Sequence, residues 1–333
     1  MSSIKTKILG LGIYLPQKIL HNKDIEKIVE TTDAWIFERT GIRERRVSST
    51  DGGEYPTDMA MKATEEALKE AKIDRNEIDM IIFASVTPDM PIPNSSTILQ
   101  TKLGITNKCG CFDVAAACSG FVYSLDLADS MIKSKKARNV LVVGSEMLST
   151  IIDWEDRGSC ILFGDGCGAA ILGQTPEGED SDILASYLSA DGTGKEYFNS
   201  PVGGATEPLT INNIARKEHL MHMKGKDMFK VATRTLAQNS KVVLEKAKLG
   251  VNEIDWLIPH QANIRIINTT VDLLDFDPKK VVINIEKYGN TSSATIPIAM
   301  YEAIKDGRIK RGHNLVFSTF GAGLTSASMI VKY

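Results

Sequence analysis

The sequence predicts an α/β protein made of two duplicated halves packed as one layered body, and three observations carry that prediction. Short apolar runs alternate with segments whose apolar residues recur at helical spacing, the pattern of strands joined by crossover helices. A repeat links the halves: Ala71-Lys72-Ile73-Asp74-Arg75-Asn76-Glu77-Ile78-Asp79 returns as Ala247-Lys248-Leu249-Gly250-Val251-Asn252-Glu253-Ile254-Asp255, an offset of 176 residues (247 minus 71). Each half also ends alike, with Phe163-Gly164-Asp165-Gly166 leading into one apolar run and Phe320-Gly321-Ala322-Gly323 into another.

Taken in order, the apolar stretch 8–15 reads as a first strand, because Pro16-Gln17-Lys18 follows it where a signal peptide would carry a small-residue cleavage site. Residues 57–71 place Met59, Ala60, Ala63, Ala67 and Leu68 on one helical face. Strands are expected at 80–86, 140–144, 169–172, 256–259 and 326–331, and helices at 121–132 and 296–304. The alternation predicts a mostly parallel sheet in each half, with the halves divided as 1–174 and 175–333. Segment 191–225, with Gly192, Gly194, Gly203, Gly204 and two prolines, reads as a long connecting or covering loop. A second offset, 172 residues (290 minus 118), sets Cys118-Ser119-Gly120 against Asn290-Thr291-Ser292, each opening a helix.

The 333 residues are 43% hydrophobic, enough for a large core, and the net charge of -3 gives no global basic bias toward nucleic acid. Basic residues do cluster, at Arg39, Arg43, Arg45 and Arg46 and at Lys305, Arg308, Lys310 and Arg311, which reads either as solvated surface or as a dock for something anionic. Five cysteines match no disulfide framework or zinc spacing, and a reducing, cytoplasmic compartment is expected. No apolar run reaches the roughly 18 residues of a membrane span. His219 and His222 share a face at helical spacing, without a third metal ligand.

Three residues carry the chemistry. Cys118 stands where a strand runs through small residues into a helix, and a helix N-terminus favours its thiolate. His260 and Asn290 each follow a predicted strand, and function gathers at the carboxyl ends of strands in such sheets. An amide cannot act as a base, but its NH2 donates. Beside a neutral imidazole it would stabilise an enolate formed by loss of CO2 from a malonyl group, where a carboxylate would suit deprotonation instead. The amides of the Phe320-Gly321-Ala322-Gly323 turn, with that of Cys118, would form an oxyanion hole. Each residue also has a plain structural reading, as core cysteine, satisfied strand-end histidine, turn asparagine and strand–strand turn. Gly164-Asp165-Gly166-Cys167-Gly168 is not a dinucleotide fingerprint, since a strand follows it.

On these residues the chain resembles the β-ketoacyl-acyl-carrier-protein synthase III family, of thiolase-like fold, nearly end to end. The motifs are Trp35 to Arg45, Asp113 to Gly120, Asp156-Arg157-Gly158, Phe163 to Gly166, Pro259 to Arg265 and Gly289 to Ser292. The resemblance implies an acyltransferase: Cys118 takes an acyl group from acyl-CoA, then malonyl-acyl carrier protein is decarboxylated with His260 and Asn290 stabilising the enolate. The products are 3-oxoacyl carrier protein, CoA and CO2, at the start of fatty acid biosynthesis. It implies an oxyanion hole from the Cys118 and Ala322 amides and a substrate-binding set of Trp35, Arg39, Arg157, Asn263 and Phe320. Trp35 and Arg157 would sandwich the CoA adenine, with Arg39 on its phosphates and Asn263 near the pantetheine arm. It further implies carrier-protein docking at Arg265, no cofactor, no nucleic acid or membrane partner, and a homodimer in which the loop at 88–93, with Ile92, lines the partner's acyl pocket. Ala322 replaces the middle glycine common in the family, Ile92 stands where some relatives carry a bulkier aromatic, and segment 191–224 is longer than the family pattern. The starter acyl group stays open.

Three rival readings remain at this level. A papain-like thiol hydrolase uses Cys, His and Asn in this order, but its Cys-Gly-Ser/Ala-Cys-Trp/Tyr signature is absent around Cys118. A condensing or acyl-transferring enzyme of polyketide or quinolone metabolism would keep the same three residues. A non-catalytic binding relative would have no need of them.

Overall fold

The chain builds two sheets, and the computed structural model describes residues 4–49 and 52–333. The first sheet uses β1 (Thr6–Tyr14), β2 (Met80–Ala84), β3 (Gly110–Val114), β4 (Asn139–Glu146) and β5 (Gly166–Gln174) in the order β1-β5-β4-β2-β3. The second uses β6 (Asp182–Ala190), β7 (Trp256–Pro259), β8 (Asn314–Gly321) and β9 (Thr325–Lys332) in the order β7-β8-β9-β6. An isolated parallel bridge between Leu257 and Val281 stands outside β7, where β3 stands outside β2, so the second sheet repeats the first with its edge strand reduced to one pair. We propose the division between the halves at 174/175, just after β5 ends.

Neither sheet is mostly parallel, which corrects the sequence expectation. β2 runs parallel to β3 and β4, and β7 parallel to β8, but β5 is antiparallel to both β1 and β4, and β9 to both β8 and β6. The reason is local: the turn after Gly321 is too short for a crossover, so the strand after it must run back along β8.

The principal helices are α1 (Asp33–Thr40), α2 (Pro56–Ala71), α3 (Ser95–Lys102), α4 (Gly120–Lys133), α5 (Gly225–Ala247), α6 (Ile264–Leu274) and α7 (Thr295–Lys305). α4 and α7 lie between the sheets. Phe121, Leu125 and Ile132 of α4 share one buried cluster with Ile296, Met300 and Ala303 of α7 and with residues of both sheets. α2 and α3 cover the outer face of the first sheet through Met59, Ala63, Ala67 and Leu99. α5 and α6 cover the second through Val243, Leu244, Ile267 and Val271. The result is a layered α-β-α-β-α body of thiolase-like form. Close approach fixes its outer layer: a Cβ on Gly12 of β1 would stand 2.1 Å from the Ala63 carbonyl of α2.

The two central helices start the same way. A 3₁₀ turn, Ala117–Ser119, precedes α4, and another, Ser292–Ala294, precedes α7. Each opens on a left-handed non-glycine residue, Ala117 at φ 46° and Ser292 at φ 51°. The structural offset is therefore 175 residues (292 minus 117), which sets Cys118 against Ser293 and not against Asn290.

Segment 191–225 is not structureless. It holds a 3₁₀ stretch (Gly192–Tyr197), a short helix (Ile211–Ala215) and a ribbon pairing Phe198–Asn199 with His222–Met223. His222 is thus in a strand, so the helical pairing with His219 does not form; a three-residue spacing in so short a segment does not distinguish the two. Arg45 is a second correction. It is fully buried, donating to the carbonyls of Leu20 and Ile161 and to Asn22 Oδ1, so it is no part of a basic surface. Among the described residues no helix is long and apolar enough to cross a membrane.

Candidate active site

Cys118 is the middle residue of the turn that follows β3 and opens α4, and it is only 5% exposed. The left-handed backbone at Ala117 costs about 1 kcal/mol or more, of the kind stored at functional sites. The end of β8 closes over it. A Cβ on Gly321 would stand 2.7 Å from the Cys118 amide nitrogen and 3.3 Å from its Cβ, so only glycine lets that turn approach Cys118 so closely. The sequence expectation of a favoured thiolate meets a stronger opposing effect. Burial pushes the Cys118 thiol up to about 12, and the Glu146 charge adds to this, while the neighbouring Ser292 side chain works the other way. The resting residue is therefore a thiol, and any reaction through its sulfur would require that proton to leave.

His260 follows β7 and is 3% exposed. Its backbone amide donates to Ser318 O at 2.8 Å, and its Nδ1 lies 2.7 Å from Thr295 Oγ1, the first residue of α7. Burial pulls its pKa down to about 3, so the imidazole is neutral at ordinary pH.

That depression has a measurable sign. Between its ordinary value of about 6.5 and about 3, the unfolded chain binds a proton at this histidine and the folded chain does not. Folding stability therefore falls as pH is lowered through that window, by up to about 1.4 kcal/mol per pH unit from this group. Urea unfolding at pH 7, 6 and 5 should give a shallower loss for His260→Gln than for the native chain; equal slopes would contradict the neutral buried imidazole.

Asn290 is held by the other half of the protein. Its amide nitrogen donates to Leu162 O at 2.8 Å, its carbonyl accepts from Gly164 N at 3.0 Å, and it forms a parallel bridge with Phe163. Its Oδ1 accepts from Ser292 N at 2.8 Å, which settles the orientation of the side chain and leaves the NH2 as the free end. The Phe163-Gly164 segment, expected only as a turn into β5, is thus the cradle of this residue.

The three groups line one cleft of about 780 Å³, together with Trp35, Arg39, Asn263, Arg265 and Phe320. Phe198 and Met223 of the covering segment add apolar wall. Arg157 does not line the cleft itself but stacks on Trp35, its Cζ 4.6 Å from the ring centroid, while Arg39 lies 4.3 Å from the same centroid. Arg157 also donates to Glu30 O. Asn263 caps α6, its Oδ1 accepting from Arg265 N at 2.8 Å. Gly321 lines the cleft where Ala322 was expected, and Ala322 opens the turn just behind it. Ile92 lies outside the cleft and is 85% exposed.

Sequence reasoning missed a polar group behind these residues. Glu146, at the end of β4, is fully buried and accepts from Ser85 Oγ, Val86 N and Thr87 Oγ1 through one oxygen, and from Ser292 Oγ and Ser293 Oγ through the other. It ties the first half to the turn that carries Ser292. A glutamate at the end of an apolar strand run was the one visible signal.

Known proteins resemble this chain along nearly its whole length. Residues 112–192 match the family profile described as 3-oxoacyl-[acyl-carrier-protein (ACP)] synthase III, and residues 244–333 its C-terminal profile. The chain is 46% identical over 330 residues to the β-ketoacyl-[acyl-carrier-protein] synthase III of Caldanaerobacter subterraneus subsp. tengcongensis, covering 99% of this chain and 98% of that one. The crystal structure of 3-oxoacyl-[acyl-carrier-protein] synthase III from Aquifex aeolicus superposes with a TM-score of 0.91 at 45% identity, covering 98% of this chain and 100% of that one. The priming β-ketosynthase of the R1128 polyketide pathway superposes with a TM-score of 0.89 at 32% identity, over 98% and 96% of the two chains.

Proposed function

The chain belongs to the β-ketoacyl-[acyl-carrier-protein] synthase III family, and on that premise we propose how its own residues carry the reaction. The enzyme is an acyltransferase that condenses an acyl starter with malonyl-acyl carrier protein, initiating fatty acid biosynthesis. The starter arrives as acyl-CoA. The observation that carries the residue assignment is the single cleft lined by Cys118, His260 and Asn290.

In the first half-reaction the Cys118 sulfur attacks the thioester carbonyl, the bond from that carbon to the CoA sulfur breaks, and the thiol proton ends on CoA. The oxyanion is assigned to the Cys118 and Ala322 amides, the Ala322 amide following directly on Gly321, whose lack of a side chain lets the turn approach Cys118. In the second, the malonyl group on the carrier loses CO2. The enolate oxygen rests between the Asn290 NH2 and the His260 Nε2–H, two neutral donors that do not repel the incoming carboxylate. The enolate carbon attacks the acyl carbonyl, the bond to Cys118 breaks, and the departing sulfur takes up one proton from solvent, because the thiol proton left with CoA and loss of CO2 from a carboxylate supplies none.

Trp35 and Arg157 bind the CoA adenine and Arg39 its phosphates, through stacking and charge that these side chains already display toward one another. Asn263 and Phe320 line the pantetheine path, and Arg265, which also lines the cleft, receives the acidic carrier protein. The exposed Ile92 enters the acyl pocket of a second copy in a homodimer. No cofactor takes part, and the enzyme works in the cytoplasm.

Intact-protein mass spectrometry tests this reading. Incubation with a mixture of acyl-CoAs should add one acyl group, on Cys118, and malonyl-carrier protein should remove it with release of CO2. Modification of another residue, or an adduct that malonyl-carrier protein leaves in place, would refute it.

A further inference from the structure

The ring of His260 has one side-chain partner among the described residues, the hydroxyl of Thr295 at 2.7 Å from Nδ1. That hydroxyl has a second neighbour, the Ser292 carbonyl, at 3.0 Å. It has one proton to give. If the proton points to Ser292 O, Nδ1 must be the donor and Nε2 is bare. If it points to Nδ1, Nε2 carries the hydrogen and can donate into the cleft. The enolate of the proposed reaction needs the second arrangement, because a bare nitrogen lone pair would repel it.

We propose that Thr295 is a positioning residue that sets the tautomer of His260, its hydroxyl donating to Nδ1 so that Nε2–H faces the malonyl thioester. The inference rests on the enolate role given to His260 above. The rest of the arrangement is rigid. Ser292 sits at φ 51°, its amide spent on Asn290 Oδ1 at 2.8 Å and its hydroxyl on Glu146 at 3.1 Å. The hydroxyl rotor is the adjustable part, and the loop beside it also orients the amide of Asn290. Both donors of the cleft are thereby set from one turn.

The competing explanation is purely structural. A threonine in the first turn of a helix often donates to the carbonyl three residues back, and Ser292 is three residues before Thr295. The two explanations differ in what they predict. Thr295→Val keeps the shape and removes the hydroxyl, while Thr295→Ser keeps the hydroxyl. Thr295→Val should slow decarboxylation of malonyl-carrier protein about tenfold or more and change self-acylation by acyl-CoA less than about twofold, and Thr295→Ser should restore most of the loss. Loss of both partial reactions to the same extent, or neither, would overturn the proposal.

A second measurement needs no variant. In ¹⁵N-labelled native enzyme, the His260 Nε2 resonance should be of the protonated, pyrrole type; a bare, pyridine-type Nε2 would overturn the proposal. If Cys118 is acylated and discharged normally while these results fail, the assignment of Thr295 falls and the condensing reaction stands.

Discussion

Cys118→Ala is expected to abolish the acyl-enzyme and to cut condensation by at least about a thousandfold, the scale seen when a covalent nucleophile is removed. Among the described residues no other cysteine lines the cleft, Cys160 and Cys167 being buried elsewhere, and Ser119 is not part of its lining. The same variant should still release CO2 from malonyl-carrier protein, because the His260 and Asn290 donors remain, tied to Thr295 and Ser292. Intact mass after acyl-CoA treatment reads the first effect, and trapped CO2 the second. An acylated Cys118→Ala protein would remove the residue from its role.

Asn290→Asp should show the opposite split. One carboxylate oxygen can still accept from Ser292 N, so the backbone of the turn keeps its bond. The other oxygen replaces a donor with a negative charge at the place where the enolate oxygen forms. Loss of one such donor costs about a hundredfold to a thousandfold, and the added charge acts in the same direction. Decarboxylation should fall by at least about a hundredfold, while self-acylation, which on the proposed mechanism uses the Cys118 and Ala322 amides instead, should fall less than about tenfold. Decarboxylation at the native rate would end the proposed role of Asn290.

Much of this was legible in the sequence because strands and helices announce themselves by where their apolar residues fall. The helix at 57–71 and the strand at 256–259 appear almost at the expected bounds. Direction is another matter. An apolar run carries no sign of which way its neighbour runs, so each sheet was expected mostly parallel, yet β5 and β9 run antiparallel to their neighbours. Pattern likewise says little about depth: Arg45 sits in a basic string and yet its guanidinium is held down to about 10 by burial. Depth also reverses the expectation for Cys118, where desolvation outweighs the favourable helix end. The cleft residues were legible through their types and order, but their partners were not. Thr295 and Glu146 act through bonds to residues 35 and 146 positions away, and no local spacing signals such a pair.

If CoA binds as proposed, the two guanidinium groups resting on Trp35 have a consequence for how tightly its nucleotide end would be held. An arriving purine does not meet a bare indole; it must evict a tenant that is covalently tethered nearby and returns as soon as the purine departs. Net affinity is then the difference between two similar stacking energies. Deleting Arg157 removes both a contact and a rival, so the change it causes in affinity understates the strength of either. Such self-occlusion would favour quick departure of spent CoA and leave the cleft clear for the second substrate.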